Sequence, residues 1–363
     1  MKRISFKWAA TLLMVLFTLL SGKLAKATSE WMEFYNNTRS LGMGGASVAI
    51  TSDETALFRN PANLASIRGF YGTLIDSEVE ASTYSVQQNY ENLMGQNLSG
   101  IRDYMITHSG TYYHDKVQFS SSIVFRNFGF GIISKKEFSG INDSATSTND
   151  VKYYDDLAAY LGFSYGFLGG IIKVGANVKA LSRIEIDQTA LSNADAFDPK
   201  VVGGEGVGIG YDLGILLQAP WRMTPTLGLV VHDIGNTVFN KQDGFRLRSA
   251  NRPTDLKQSV DAAISFFPIH KNNLRTLWTI EMRDLTNSKS ESDQMKRIHV
   301  GIEFNSDDLF FFRAGLNQRY WTAGFEIAGR FATWQMASYG EEVGTTDNPK
   351  EDRRFSMKVS LRF

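Results

Sequence analysis

The chain has 363 residues, no cysteine, 38 Lys and Arg against 38 Asp and Glu, 43% hydrophobic residues and a mean hydropathy of −0.20. These values exclude a disulfide-stapled miniprotein, a thiolate metal centre and a polytopic helical membrane protein, which needs several apolar runs of about 20 residues.

Only the N-terminus approaches such a run. Lys2, Arg3 and Lys7 precede the apolar stretch Trp8 to Leu20 and the small-residue pattern Ala25-Lys26-Ala27. A basic start, a short apolar run and an A-x-A end mark a secretory signal peptide, so residues 1–27 are expected to be a cleaved leader. Without the leader's five basic residues the chain carries 33 basic against 38 acidic residues, a net charge of −5. A mildly acidic exported chain has no electrostatic footprint for nucleic acid, which requires clustered Lys and Arg.

Residues 39–65, RSLGMGGASVAITSDETALFRNPANLA, show no alternation. Gly42, Gly44 and Gly45 permit tight backbone turns and close packing. Ser52 or Asp53 can cap a short helix running to about Arg59, with Glu54 favoured in its first turn, and Pro61 forces Asn60 into an extended conformation that ends it. The expected product is a compact hatch over residues 28–68, sized to enter a barrel lumen.

From residue 69 the pattern changes to a period of two. Strands are expected near residues 69–85, 116–126, 128–138, 153–167, 170–187, 205–219, 224–236, 256–268, 274–285, 295–305, 309–317, 320–330, 331–341 and 353–363, about fourteen in all. The last is the clearest, with Phe355, Met357, Val359, Leu361 and Phe363 alternating with Ser356, Lys358, Ser360 and Arg362. In the sixth, Gly206, Gly208, Gly210 and Gly214 occupy the second face, which a wet or plugged interior tolerates. Most of these runs, about 9 to 17 residues, exceed the soluble norm and suit a tilted bilayer crossing. Short links, as at Asn127 and Leu168-Gly169, alternate with long polar ones at 86–115, 139–152, 187–204, 237–255, 286–294 and 342–352, as two sides of a membrane require. The exception is the tight Gln318-Arg319 link.

Backbone groups unpaired in hydrocarbon are costly, so the fold expected for 69–363 is an all-β, closed antiparallel transmembrane barrel. Tyr153, Tyr154, Trp221, Phe310, Tyr320, Trp321 and Tyr339 are candidates for its aromatic girdles. Glu281, Glu303, Arg313, Glu326 and Arg330, with Lys173, Lys179 and Arg283, are candidate lumen charges, expected to pair and to fix the hatch because both signs are present. In the 86–115 link, Tyr90, Leu93, Met94, Ile101 and Met105 form a helical apolar stripe that either meets cargo or packs on the rim.

The five histidines, His108, His114, His232, His270 and His299, show no HExxH spacing, and there is no G-x-S-x-G elbow, so a non-enzyme without cofactor or metal is expected. His299 near Glu303 reads as a lumen hydrogen-bonding residue. Asp143, Asp150, Asp155, Asp156 and the Asp307-Asp308 pair lack calcium-loop spacing.

Gly42-Met43-Gly44-Gly45-Ala46, the Asp53-Glu54 pair and Asn60-Pro61-Ala62 followed by Leu64 resemble the N-terminal signature of the FadL-like outer-membrane transporter superfamily, PorV/PorQ-type relatives included. The resemblance extends more weakly through Pro225 to Asn236, Arg313 to Leu316 and the terminal Phe363. It implies a fourteen-stranded barrel whose hatch is held by the Asn-Pro-Ala turn, an outer-membrane location, and passive uptake of a hydrophobic, long-chain fatty-acid-like small molecule. Transport would proceed by adsorption at the outer loops, transfer to a lumen pocket and displacement of the hatch. The PorV-type alternative is a barrel serving protein secretion or surface attachment, with secreted proteins as partners. In either case membrane lipids and the barrel assembly machinery are expected partners, the latter meeting the Phe355, Met357, Val359, Leu361, Phe363 face as an insertion signal.

Overall fold

The computed structural model describes residues 30, 32–50, 53–83, 98–239, 245–247, 249, 251–268, 270 and 274–363. The expected leader, Ser52 and the Tyr90, Leu93 and Met94 part of the apolar stripe lie outside the described residues.

Fourteen antiparallel strands close into one barrel: β1 (Phe70–Ser82), β2 (Tyr112–Phe125), β3 (Phe128–Asp143), β4 (Thr148–Phe167), β5 (Ile172–Ser192), β6 (Gly204–Gln218), β7 (Thr226–His232), β8 (Ser259–Phe266), β9 (Leu274–Met282), β10 (Ile298–Ser306), β11 (Phe310–Asn317), β12 (Tyr320–Ala328), β13 (Ala332–Glu342) and β14 (Glu351–Arg362). Each strand pairs with its sequence neighbours, and β1 pairs with β14 from Thr73↔Arg362 to Ser82↔Arg354. That last ladder leaves the sheet without a free end, the condition for a strand to cross lipid. Among the described residues no helix is long and apolar enough to cross a membrane.

Alternation fixes which side chain meets which medium. In β14 Phe355, Met357, Val359, Leu361 and Phe363 face outward and are exposed, while Arg354, Ser356, Lys358 and Ser360 are buried in the lumen. The same holds for exposed Phe119 and Ile123 against buried Ser120 and Ser122 in β2, and around the wall. An exposed apolar belt of this extent is compatible with water only if acyl chains cover it.

The wall is lopsided. β4 and β5 have 20 and 21 residues, whereas β7 has 7 and β11 has 8, a wider spread than the sequence suggests. On the tall side the expected long link 139–152 shrinks to a turn at 144–147, because β3 and β4 stay paired as far as Asp143↔Thr148. A helix, α3 (Leu98–Thr107), buries Ile101 and Met105 against Tyr113, Phe138, Tyr153, Ile184, Ile186 and Phe197. By parity Tyr113, Phe138, Tyr153, Ile184 and Ile186 point outward, so α3 shields the outer face of β2–β5 beyond the lipid. The described part of the apolar stripe, Ile101 and Met105, therefore packs on the barrel.

Of the girdle candidates, Trp221, Phe310 and Trp321 are exposed on the outside. Tyr153 lies under α3. Tyr154 and Tyr339 turn inward, the latter donating its hydroxyl to Glu80 at 2.6 Å.

One seam is incomplete. β6 follows β5 from Gly204 to Leu217 but meets β7 only through Leu213–Gln218. Above Leu213 the 233–258 link replaces the ladder: Ile234 N–H donates to Tyr211 O at 2.8 Å and Glu205 N–H to Asn251 O at 3.0 Å. Thr237 and Phe239 fill the lumen face vacated by Gly206, Gly208 and Gly210. Arg246 reaches the outward Asp155 at 2.6 Å, and the outward Glu205 carboxylate accepts from Leu247 N–H at 2.7 Å. The link thus straps both faces of β6. β3, by contrast, is paired continuously on both sides.

Replacing Val359 by Arg puts a charge in the outward belt. Folding into lipid vesicles, followed by urea titration, is expected to weaken by about 2–4 kcal/mol, with much less effect from the lumen substitution Ser360→Thr.

Candidate functional site

The lumen is occupied by the chain's own N-terminal segment. α1 (Thr38–Gly42) is capped by Asn37, whose side chain accepts from Ser40 N–H at 2.8 Å. α2 (Ala56–Arg59) follows Asp53, whose carboxylate accepts from Thr55 N–H at 3.0 Å. Asn60 is extended at φ −146° and ψ 105°, and Pro61 then opens a 3-10 turn to Ser66. Asn60 and Pro61 act as expected, but Asp53 does not cap α2: the N-cap is Thr55, which makes no side-chain capping bond, and Glu54 lies before the first turn.

Glycine lets this segment lie against the wall. Gly44 has φ +69°, and a Cβ there would sit 2.3 Å from Val300 O. At Gly175 in β5 a Cβ would sit 2.4 Å from the Pro61 carbonyl carbon, so the Asn-Pro-Ala turn requires a bare wall. Gly42 touches Gly324, and Gly45 O accepts from Arg283. Asn60 Nδ2 donates to Val48 O at 3.0 Å, while its Oδ1 accepts from Ala62 N–H at 3.1 Å.

Two ionic clusters fasten the hatch. In the first, Glu281 accepts from Ser47 and Val48 N–H at 2.7 and 2.8 Å and pairs with Arg283 at 3.0 Å and Arg59 at 3.3 Å. Glu33 completes it, 3.0 Å from Arg59 and 2.5 Å from Arg283. In the second, Arg39 spans Asp53 at 2.7 Å and Glu303 at 2.9 Å, and Arg313 joins Glu303 at 2.7 Å to Glu326. Paired in this way, the buried charges avoid the cost of isolation. Burial opposes ionisation of Glu33 and Asp53, but their arginine partners hold both carboxyls below the ordinary range. Glu54 goes the other way, pushed up to about 7 by burial and by neighbouring Asp53.

Four of the lumen-charge candidates, Glu281 in the first cluster and Glu303, Arg313 and Glu326 in the second, thus help fasten the hatch. Arg330 does not: β12 ends at Ala328, which leaves Arg330 exposed in a turn over the Phe331 ring. His299 Nδ1 bonds Gly44 O at 2.8 Å, the expected hydrogen-bonding role. Asp156 grips Arg183 through two 2.7 Å bonds, Asp143 accepts from Ala145 N–H and Asp150 from Ala190 N–H, so the loop acids do not converge on a cation. Glu30, His114 and Glu137 place potential ligand atoms within 4.8 Å of one another. There Arg354, 2.6 Å from Glu30, and Lys135, 2.8 Å from Glu137, already supply the counter-charge.

Above the hatch lies a cavity of about 500 Å³. Phe34, Phe58 and Arg59 form its floor, Tyr154 and Tyr160 line β4, and Lys179 and Arg183 line β5. Exposed Asp187, Thr254, Asp255 and Lys257 mark its mouth at the long-link end. Of these, only Lys179 is legible in the sequence as a lumen charge, while Tyr154 reads there as a girdle residue and Arg59 as a helix end; Arg183, and Lys135 which also lines the cavity, fall on inward parity, the available signal.

No family model and no curated protein sequence matches the chain. Among solved structures, the Ralstonia pickettii toluene transporter TbuX superposes with a TM-score of 0.54 at 15% identity, over 89% of this chain and 97% of that one. The CymD monoaromatic hydrocarbon channel gives 0.56 at 13% identity, over 89% and 96%. A Pseudomonas aeruginosa FadL homologue gives 0.53 at 12% identity, over 92% and 99%. The fold is that of the FadL-type barrels. The fourteen-stranded FadL-type barrel with an N-terminal hatch accommodates this chain over nearly its whole length.

Arg59→Met strips a counter-charge from Glu33 and Glu281. Protection of hatch amides 32–62 in hydrogen exchange is expected to fall about a hundredfold, roughly 3 kcal/mol, while the strands keep theirs.

Glu54 sets a pH dependence. Its folded pKa of about 7 exceeds the ordinary 4.5, so the folded hatch holds a proton that the undocked one has lost. Hatch stability therefore falls as pH rises from about 4.5 to about 7, and Glu54→Gln should flatten this slope in exchange at residues 53–59.

Proposed function

We propose that this chain is an outer-membrane channel for the passive uptake of small, largely hydrophobic molecules, exported with a cleaved leader. The observation that carries the reading is the cavity of about 500 Å³, closed below by the hatch and opening at the long-link end of a lipid-facing FadL-type barrel. A chamber of ligand size, blocked at one end by the hatch, supports a binding step within transport rather than free diffusion through an open pore. The hydrocarbon and toluene channels of the same fold lend the cargo class, and the five aromatic residues around the cavity, Phe34, Tyr35, Phe58, Tyr154 and Tyr160, are consistent with it. The outward face of β14 keeps its proposed role as an insertion signal.

Cargo enters at the mouth beside Asp255 and Lys257. Displacing the hatch would break both ionic clusters together, whereas leaving through the β6–β7 seam requires only that the strap shift. The seam is therefore the exit we favour.

Because the native chain has no cysteine, disulfide locks can decide between the routes. In cells lacking their own FadL-type channels, expression of the chain should raise uptake of at least one of labelled toluene, phenol and palmitate. Oxidised Tyr211→Cys/Ile234→Cys should abolish the gain reversibly, and oxidised Thr38→Cys/Ser356→Cys, at a hatch–wall pair whose hydroxyls lie 2.7 Å apart, should leave it intact. The opposite pattern would assign the exit to the hatch. No gain from the native chain, with a secreted protein co-purifying, would favour the surface-attachment alternative.

A further inference from the structure

The walls of the cavity narrow the cargo. Nine carboxylate residues and eight Lys and Arg residues line it, so it presents both signs and no cationic excess. The buried cations are already matched: Lys135 by Glu137 at 2.8 Å, Lys179 by Asp212 and Asp233 at 3.0 and 2.9 Å, and Arg183 by Asp156 at 2.7 Å. An entering carboxylate would have to displace one of these partners or face the other acids. An alkyl chain fares no better, because charged side chains interrupt the apolar surface on every wall and a hydrocarbon would strip their water without replacing its hydrogen bonds.

One wall differs. Phe34 stands 6.2 Å from Tyr160, and Phe58 meets Tyr160 edge-on at 5.2 Å; Phe58 and Tyr160 are buried beneath, which leaves Phe34 as the half-buried ring facing the cavity. Lys135 and Lys179 hold their ammonium groups over the Phe34 ring, 5.6 and 5.9 Å from its centre, so donors stand beside this ring, and carboxylates such as Glu185 line the same cavity as acceptors. A compact ring packed against Phe34 brings its substituents within reach of these donors and acceptors.

We infer that the cavity takes a compact, uncharged aromatic compound bearing hydrogen-bonding substituents, of the phenol or aromatic-amide class, in preference to a long-chain acid or a bare hydrocarbon. This rests on the lumen being the transport site. A polar-lined site rejects analogues that leave its groups unpaired more strongly than an apolar site rejects polar ones.

The test is equilibrium dialysis of the full detergent-purified barrel against 4-hydroxybenzamide, 4-hydroxybenzoate, toluene and palmitate, with cellular uptake of each measured in parallel. 4-Hydroxybenzamide should bind at least about tenfold more tightly than the others, and Phe34→Leu and Lys135→Met should each weaken it about tenfold in barrels that retain heat-modifiable migration. Equal or tighter binding of palmitate, toluene or 4-hydroxybenzoate overturns the inference, and if that compound is also taken up the transport reading survives. Binding of 4-hydroxybenzamide that neither substitution alters places the ligand elsewhere and overturns it too. Binding without uptake upholds the ligand class and sinks the transport reading. No binding and no uptake of any probe sinks both.

Discussion

In hydrocarbon, a peptide N–H or C=O has no water to fall back on, so each must find its partner within the protein. From this follow the β1–β14 ladder that closes the sheet and the outward rows of Phe, Leu, Ile and Val. The same requirement makes the β6–β7 seam stand out. Where β7 ends at His232, the upper edge of β6 loses its strand partner, and the strap supplies bonds at Tyr211 and Glu205 instead. A wall built this way is held less continuously than its neighbours, which is why the seam is the natural place to look for movement.

Closure creates a second problem inside. A sheet of fourteen strands encloses more space than its own inward side chains fill. The chain fills it with its own segment before the first strand, and charge rather than grease does much of the fastening. Glu281 serves two hatch amides and two guanidiniums, and Arg39 bridges the hatch to β10. Such pairs are worth little as net stability but are costly to break singly, so they specify position. Apolar packing contributes on the opposite side, where Leu57, Phe58 and Leu64 bury against Ile133, Ala158, Tyr160 and Leu181. What remains above the hatch is a chamber whose chemistry is mixed because the clamps and the cavity share side chains, notably Arg59, Arg283 and Glu33.

All fourteen strands were legible before any coordinates, because one face must meet lipid and the other must not, and a period of two records this in each strand separately. The hatch turn was legible for a related reason, since the effect of Asn60-Pro61 acts over two or three residues; the start of α2 was not, because its N-cap is Thr55 and not Ser52 or Asp53. The failures share the converse cause. Tyr153 and Tyr339 are belt-like by composition, yet α3 covers one and strand parity turns the other inward. Arg330 looked like a lumen charge because the sequence does not say that β12 stops at Ala328. The 139–152 link reads as polar loop, and only the pairing of β3 with β4 shows it to be mostly strand.

The sequence by itself determined the class of structure, the number of crossings, the face each side chain presents and the existence of a compact element before the first strand, since these depend on local geometry and on the medium each residue must meet. The tertiary structure alone decided that Glu281 meets Arg59, 222 positions away, that the 233–258 link passes along both faces of β6, and that aromatic and charged residues from five or more segments enclose one cavity. Those contacts arise from barrel closure, which brings together residues whose separation along the chain carries no trace of their proximity.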